Sequence, residues 1–259
     1  MRLHRFYTTE KIDEHNSFTI TSAELAHQVR RVFRLKKNDE IILFNGTHFD
    51  YTCKIDGSDN ESIIVSNDTI QLRVISKEPS RFVPQQKLFL CAAITKKDTF
   101  EWIVEKATEL GVTDIIPVLA ERSEKKSLNA ERLNKIAVEA SEQSGRGDIP
   151  MVHPIMGCED AVTFLSNDQR GLPGWSLDLP SLPPLKQIVF HTEGDMVARV
   201  DLATSNALAC FIGPEGGWSP KELEMFHAHN IPVRCIGSQV LRAETAVIAT
   251  LSLMVFAPK

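Results

Sequence analysis

Two strand–glycine-loop–helix units stand back to back in the C-terminal third of this chain, and they restrict its fold more than any other stretch. The short apolar run Leu208–Ile212 reads as a buried strand and leads into Gly213-Pro214-Glu215-Gly216-Gly217. Ser219-Pro220-Lys221-Glu222 follows with a helix start: a Ser cap, Pro at the first helical position and a Glu placed to close a capping box. A second strand, Val233–Ile236, feeds Gly237-Ser238-Gln239-Val240-Leu241-Arg242 and an apolar helix from about Glu244. This succession predicts an α/β fold with both loops at the carboxyl ends of their strands, where open α/β sheets bind ligands. The spacing is neither G-x-G-x-x-G nor G-x-x-x-x-G-K-[ST], which removes the dinucleotide and P-loop readings. Such glycines either make a tight turn or bare the main chain to a ligand, and the pattern alone leaves both open.

Upstream, residues 1–78 read mostly as strands. Asn45-Gly46 is a hairpin signal between Glu40–Phe44 and Phe49–Ile55, and Asn67-Asp68 marks a second strand pair, Ser62–Val65 with Ile70–Ile75. One helix interrupts them, with Thr21-Ser22-Ala23-Glu24 as its capping box and Leu25, Val29, Val32 and Phe33 as its apolar stripe. At helical spacing His27, Arg30, Arg31 and Arg34 share the opposite side, and Lys36 and Lys37 extend that basic surface. Pro79–Gln86 is the best linker. Beyond it, strands and helices alternate. Lys87–Ile94 is a strand, and Asp98 is placed to cap a helix that ends at Gly111. Ile115–Leu119 carries Pro117, which favours an edge or bulged position. A helix follows near Ala130–Ser144, and residues 169–184 make an irregular excursion. Gln187–Phe190 resumes the sheet and ends in a loop at His191–Gly194. The last helix, about Glu244–Phe256, is apolar nearly all round and must be covered on most sides.

Other chemistries find little support. The five cysteines are far apart with no CxxC, and they read as buried thiols in a reducing, cytoplasmic setting without a metal. No G-x-S-x-G occurs, and His227 and His229 cannot share a helical face. No apolar run reaches membrane-spanning length. With 29 Lys plus Arg against 34 Asp plus Glu the chain is mildly acidic, so any nucleic-acid contact must use a local basic face.

Gly213–Gly217 followed by a strand and Leu241-Arg242-Ala243-Glu244-Thr245-Ala246 resembles the RsmE family of SPOUT-class RNA methyltransferases, which methylate N3 of a uridine in 16S rRNA. The likeness extends over nearly the whole chain: His4-Arg5-Phe6, His27 to Leu35, Lys106–Val112, Glu121-Arg122-Ser123 and Glu142–Arg146 all take part in order. It implies a PUA-like RNA-binding β-barrel domain at 1–78, a linker at 79–86, and a trefoil-knotted, mostly parallel SPOUT domain at 87–259. The implied cofactor is S-adenosyl-L-methionine, the implied partner 16S rRNA in the small ribosomal subunit, and the implied assembly a cytoplasmic homodimer.

The expected cofactor site comprises His191, Thr192 and Glu193, then Ile212, Gly213, Pro214, Gly216 and Gly217, then Ile236, Gly237, Val240 and Leu241. Arg242 and Glu244 are the candidates for chemistry. Arg5, Arg30, Arg31, Arg34 and Lys36 are the candidates for RNA phosphate contacts. Ala243 stands where relatives often have Thr, which argues against a hydroxyl in the reaction. Two alternatives stay open: a SPOUT enzyme acting on ribose 2′-OH or on tRNA, and a non-catalytic RNA-binding assembly factor.

Overall fold

The computed structural model describes residues 3–56, 68–166, 185–198 and 207–256. The chain divides into two compact units, Met1–Val83 with Ser141–Ile149, and Pro84–Ala140 with Pro150–Lys259. The expected strand at Ser62–Val65 and the excursion at 169–184 lie outside the described residues.

The first unit contains β1 (His4–Tyr7), β2 (Ser17–Thr21), helix α1 (Ala23–His27), β3 (Glu40–Phe44), β4 (Phe49–Ile55) and β5 (Thr69–Pro79). They form one sheet in the order β1-β3-β4-β5-β2, with β1 parallel to β3 and the other pairs antiparallel. Among the described residues no ladder joins β1 to β2, and the β-barrel unit takes the form of a half-barrel sheet. Period-two alternation aims Tyr51, Cys53 and Ile55 into a core with Phe6, Ile20, Ile41, Leu43, Ile70 and Leu72.

Helix α1 departs from its sequence pattern in two ways. Its cap is Ser22, whose hydroxyl accepts from the Leu25 N–H at 3.2 Å, one residue beyond the expected Thr21. After His27 the chain winds into a π-helical turn, Gln28–Val32, where the Phe33 N–H reaches the Gln28 carbonyl and the Leu35 N–H reaches that of Val29. The wider turn breaks the phase of the apolar stripe. Leu25 and Val29 stay buried, whereas Val32 is 57% and Phe33 37% exposed.

Ser141–Ile149 joins this unit through polar contacts that no hydrophobic pattern reveals. Arg5 is buried; its guanidinium bonds Asp50 at 2.7 Å and the carbonyls of Ser141 and Arg146 at 3.2 and 3.1 Å, and lies 4.2 Å over the Phe44 ring. The Glu142 carboxylate accepts from the Tyr7 N–H at 2.8 Å.

The second unit is organised by a parallel sheet. Its elements are β6 (Lys87–Ala93), α2 (Lys97–Glu109), β7 (Asp114–Leu119), α3 (Ala130–Ser144, whose last turn belongs to the first unit), β8 (Met151–Val152), β9 (Met156–Gly157), α4 (Cys158–Ser166), β10 (Lys186–Met196), β11 (Ala207–Ile212), α5 (Pro220–Ala228), β12 (Val233–Cys235) and α6 (Ala243–Phe256). The order is β12-β10-β11-β6-β7-β8, with β9 also on β7, and every pair is parallel. All six residues of β11 are buried, as expected for a strand covered on both faces.

Three local expectations change. Strand β7 is internal, but its outer ladder passes from β8 at Asp114–Ile115 to β9 at Val118–Leu119, so Pro117 falls in the gap between them. Asp98 lies inside the first turn of α2 instead of capping it. Residues His191–Gly194 are part of β10, not a loop beyond it, and the register with β12 shifts between Phe190 and Asp195. Gly194 permits that close pairing, since a Cβ there would lie 2.6–2.8 Å from the Arg234 backbone.

Candidate active site

Four strand ends build the site. Strand β11 delivers Ile212 into the Gly213–Gly217 loop, closed by a Gly217 N–H to Pro214 carbonyl bond at 2.8 Å. Gly217 sits at φ +68, and a Cβ there would stand 3.7 Å from His191 Nε2 on the opposite wall. Trp218 anchors the loop: it is buried, donates Nε1–H to the Phe190 carbonyl at 3.2 Å and packs edge-on against Phe226. Behind it α5 begins with the expected capping box, Ser219 and Glu222 exchanging bonds at 3.3 and 2.8 Å. The buried Glu222 carboxylate also accepts from the Glu121 N–H at 2.9 Å, tying this loop to the end of β7.

From that strand end comes Arg122, whose guanidinium donates to the carbonyls of Gly216 at 2.7 Å and Trp218 at 3.4 Å. Strand β10 contributes His191, Thr192 and Glu193, with the His191 Nδ1 accepting from the Glu193 N–H at 3.1 Å. Beyond β12, Ile236–Leu241 closes the ring.

Together they enclose a cavity of about 360 Å³, within the range of small-molecule sites. All twelve residues expected at the cofactor site line it. Sequence reasoning missed Arg122 as a wall residue, although the rule that ligands bind at carboxyl strand ends applies equally to β7. It also missed Phe190, Trp218, Cys235, Ala243 and Ala246, which lie just outside the expected stretches. Arg242 and Glu244 do not line the cavity; they flank Leu241 and Ala243, which do. Arg242 is exposed and Glu244 half-buried, and no ion pair or hydrogen bond joins them.

The expected RNA residues separate. Arg31, Arg34 and Lys36 are exposed. Arg30 is half-buried and donates to the Thr69 carbonyl. Arg5 is not a surface cation at all: its guanidinium is spent on Asp50 and two carbonyls, which removes it from the phosphate contacts.

Burial pushes the thiols of Cys53, Cys158 and Cys210 up to about 12 and that of Cys91 well above its ordinary value, so they stay protonated. Cys235, on the cavity wall, is half-exposed. Among the described residues no cluster of three His, Cys, Asp or Glu is placed to hold a metal, and no helix is long and apolar enough to cross a membrane.

A unit built on a parallel sheet with a cavity at its carboxyl ends, and a separate small β unit, match what comparison with known proteins finds. Residues 83–255 match the RNA methyltransferase domain and residues 24–66 the RNA methyltransferase PUA domain. The chain belongs to the ribosomal RNA small subunit methyltransferase E family. The relative bearing that name in Rickettsia conorii is 30% identical over 254 residues, covering 97% of this chain and 95% of its own. The Bacillus subtilis relative is 29% identical and covers 95% and 92%. A solved methyltransferase structure from Legionella pneumophila, in complex with bound S-adenosylmethionine, is 26% identical with a TM-score of 0.81 and covers 99% of this chain and 98% of its own.

Proposed function

We propose that this protein transfers the methyl group of S-adenosylmethionine to N3 of a uridine in the 16S rRNA of the small ribosomal subunit. The observation that carries this reading is the convergence of the twelve expected residues, from three separate stretches, on one cavity at the carboxyl ends of parallel strands. The fit to the cofactor rests on the same cavity. Main-chain groups of Gly213–Gly217 and Ile236–Leu241 suit the polar edges of adenine and ribose, and Ile212, Ile236 and Leu241 suit the apolar parts. When bound, S-adenosylmethionine supplies an electrophilic methyl on a sulfonium centre.

Uracil N3 carries an imide proton and is a poor nucleophile until that proton leaves, when charge spreads onto O2 and O4. A site for this reaction therefore supplies donors to those oxygens, a proton acceptor and fixed alignment. We assign the donor role to Arg242 and the acceptor role to Glu244 or a water beside it. Their freedom from each other supports this, since a pair that only fixed the loop would be joined. Arg122 holds the glycine loop through Gly216 and is a positioning residue in this scheme.

Residues 1–78 are proposed to hold the RNA, 79–86 to link, and 87–259 to carry the reaction. A cytoplasmic homodimer with a knotted catalytic domain belongs to the same proposal, supported at the subunit contact by exposed Trp102, Leu253 and Phe256. Mass mapping of rRNA nucleosides from cells lacking this protein tests the reading. One 3-methyluridine is expected to vanish from 16S rRNA and return on restoration; an unchanged nucleoside map refutes it.

A further inference from the structure

The π-helical turn leaves two apolar side chains facing solvent beside three cations, and the methyl-transfer chemistry uses none of them. Val32 and Phe33 are exposed, next to exposed Arg31, Arg34 and Lys36. We propose that Phe33, with Val32 beside it, is a stacking platform for one unpaired base of the RNA, the three cations holding the flanking phosphates. This rests on the rRNA reading above and deepens it from charge attraction to a base contact.

Three observations converge. First, the Phe33 ring is already oriented: the His4 ring lies 4.0 Å from it, centroid to centroid, and Phe6 meets it edge-on at 5.6 Å. A base stacking there meets a fixed surface and orders little protein.

Second, the backbone holds two uncommon conformations in succession, the π turn at Gln28–Val32 and a left-handed Arg34 at φ +54. Such departures concentrate at functional sites, because fold stability alone does not select them. An ordinary helical continuation would follow the sequence stripe and turn Val32 and Phe33 inward.

Third, the surroundings suit RNA better than protein. Cores of protein interfaces are depleted in charge. Here Arg31, Arg34 and Lys36 lie within three residues of the ring and have no ion-pair partner among the described residues. Asp39 spends one carboxylate oxygen on the Lys36 main-chain N–H at 2.7 Å. An exposed ring flanked by arginines is the arrangement that binds unpaired bases by stacking while their phosphates pair with the cations.

The experiment measures binding of the full-length protein to small ribosomal subunits, purified from cells lacking it, at several salt concentrations. Phe33→Leu keeps an apolar side chain against Phe6 and His4 but removes the π face. It is expected to weaken binding about five- to hundredfold, the usual effect of losing one stacked base, with the salt slope unchanged. Phe33→Trp is expected to bind as wild type. Val32→Glu, at a position exposed enough not to disturb folding, is expected to weaken binding about tenfold or more through charge repulsion with phosphate.

Cofactor affinity and thermal melting report that each variant is folded. If Phe33→Leu and Val32→Glu both bind as wild type, the platform is refuted and the rRNA reading stands. Equal losses in Phe33→Leu and Phe33→Trp also refute it, since packing and not stacking is then responsible. A change in sedimentation with unaltered subunit binding assigns the face to a protein contact and overturns the proposal. Wild-type protein that binds no subunits overturns both readings.

Discussion

The cavity wall is built from stretches at the ends of β10, β11 and β12, and the order of those strands fixes where their main chain lies. On the face that follows α1 the exposed groups are long side chains, and a single turn of backbone decides which way they point. A main-chain site tolerates errors in the sequence reading of individual side chains, because strand order and glycine spacing already define it. A side-chain site does not. One widened turn sends Val32 and Phe33 outward, and a half-buried carboxylate draws Arg5 inward.

The largest effect is expected at Arg5, which shares a charge with the surface arginines but none of their surroundings. Arg5→Met leaves the half-buried Asp50 carboxylate with Ser80 as its remaining partner and frees the carbonyls of Ser141 and Arg146. A loss of about 3–5 kcal/mol in unfolding free energy is expected in urea titrations. A loss below about 1 kcal/mol would show that Arg5 is not the structural residue its contacts describe.

At the main-chain site, Gly217→Val forces a β-branched residue into the left-handed region and points its side chain toward His191. Strain of about 1–3 kcal/mol and occlusion of the cavity together predict at least a tenfold to hundredfold fall in S-adenosylmethionine affinity by calorimetry. RNA binding is expected to keep its salt dependence. Undiminished cofactor affinity would remove this loop from the site.

On the side-chain face, alanine at Arg31, Arg34 and Lys36 together is expected to flatten the salt slope of subunit binding by roughly 0.7–0.9 per lost phosphate contact, with cofactor affinity unchanged. Identical binding at every salt concentration would make the face an ordinary solvated surface. The smallest effect is chemical. At neutral pH the thiols held near 12 by burial stay protonated, so Cys235 is expected to be alkylated first, and S-adenosylmethionine to slow that reaction. Labelling of Cys53 or Cys210 ahead of Cys235, read by mass spectrometry, would contradict it.

What the sequence could show follows from where each piece of information resides. The parallel sheet was legible because strands covered on both faces read as unbroken apolar runs, as in β6 and β11. The α5 start was legible because Ser219, Pro220 and Glu222 act within one turn. The π turn was not, since nothing in Gln28–Val32 distinguishes it from an ordinary helix, and a 3.6-residue period assigns Val32 and Phe33 to the wrong side. Pro117 signalled an edge or bulged position, whereas the gap between β8 and β9 that it faces is set by distant residues. Arg122 was missed because its role depends on Gly216, 94 positions further along the chain.

The most direct test is a product analysis: purified protein, methyl-labelled S-adenosylmethionine and small subunits from cells lacking the protein, followed by nucleoside mass mapping. Wild type is expected to place one methyl group on N3 of one uridine in 16S rRNA. Arg242→Lys, which keeps the charge but loses the planar fork, is expected to lose that transfer by orders of magnitude while still binding cofactor and subunits. Label on a ribose 2′-OH, or no label despite intact cofactor and subunit binding by wild type, would contradict the account.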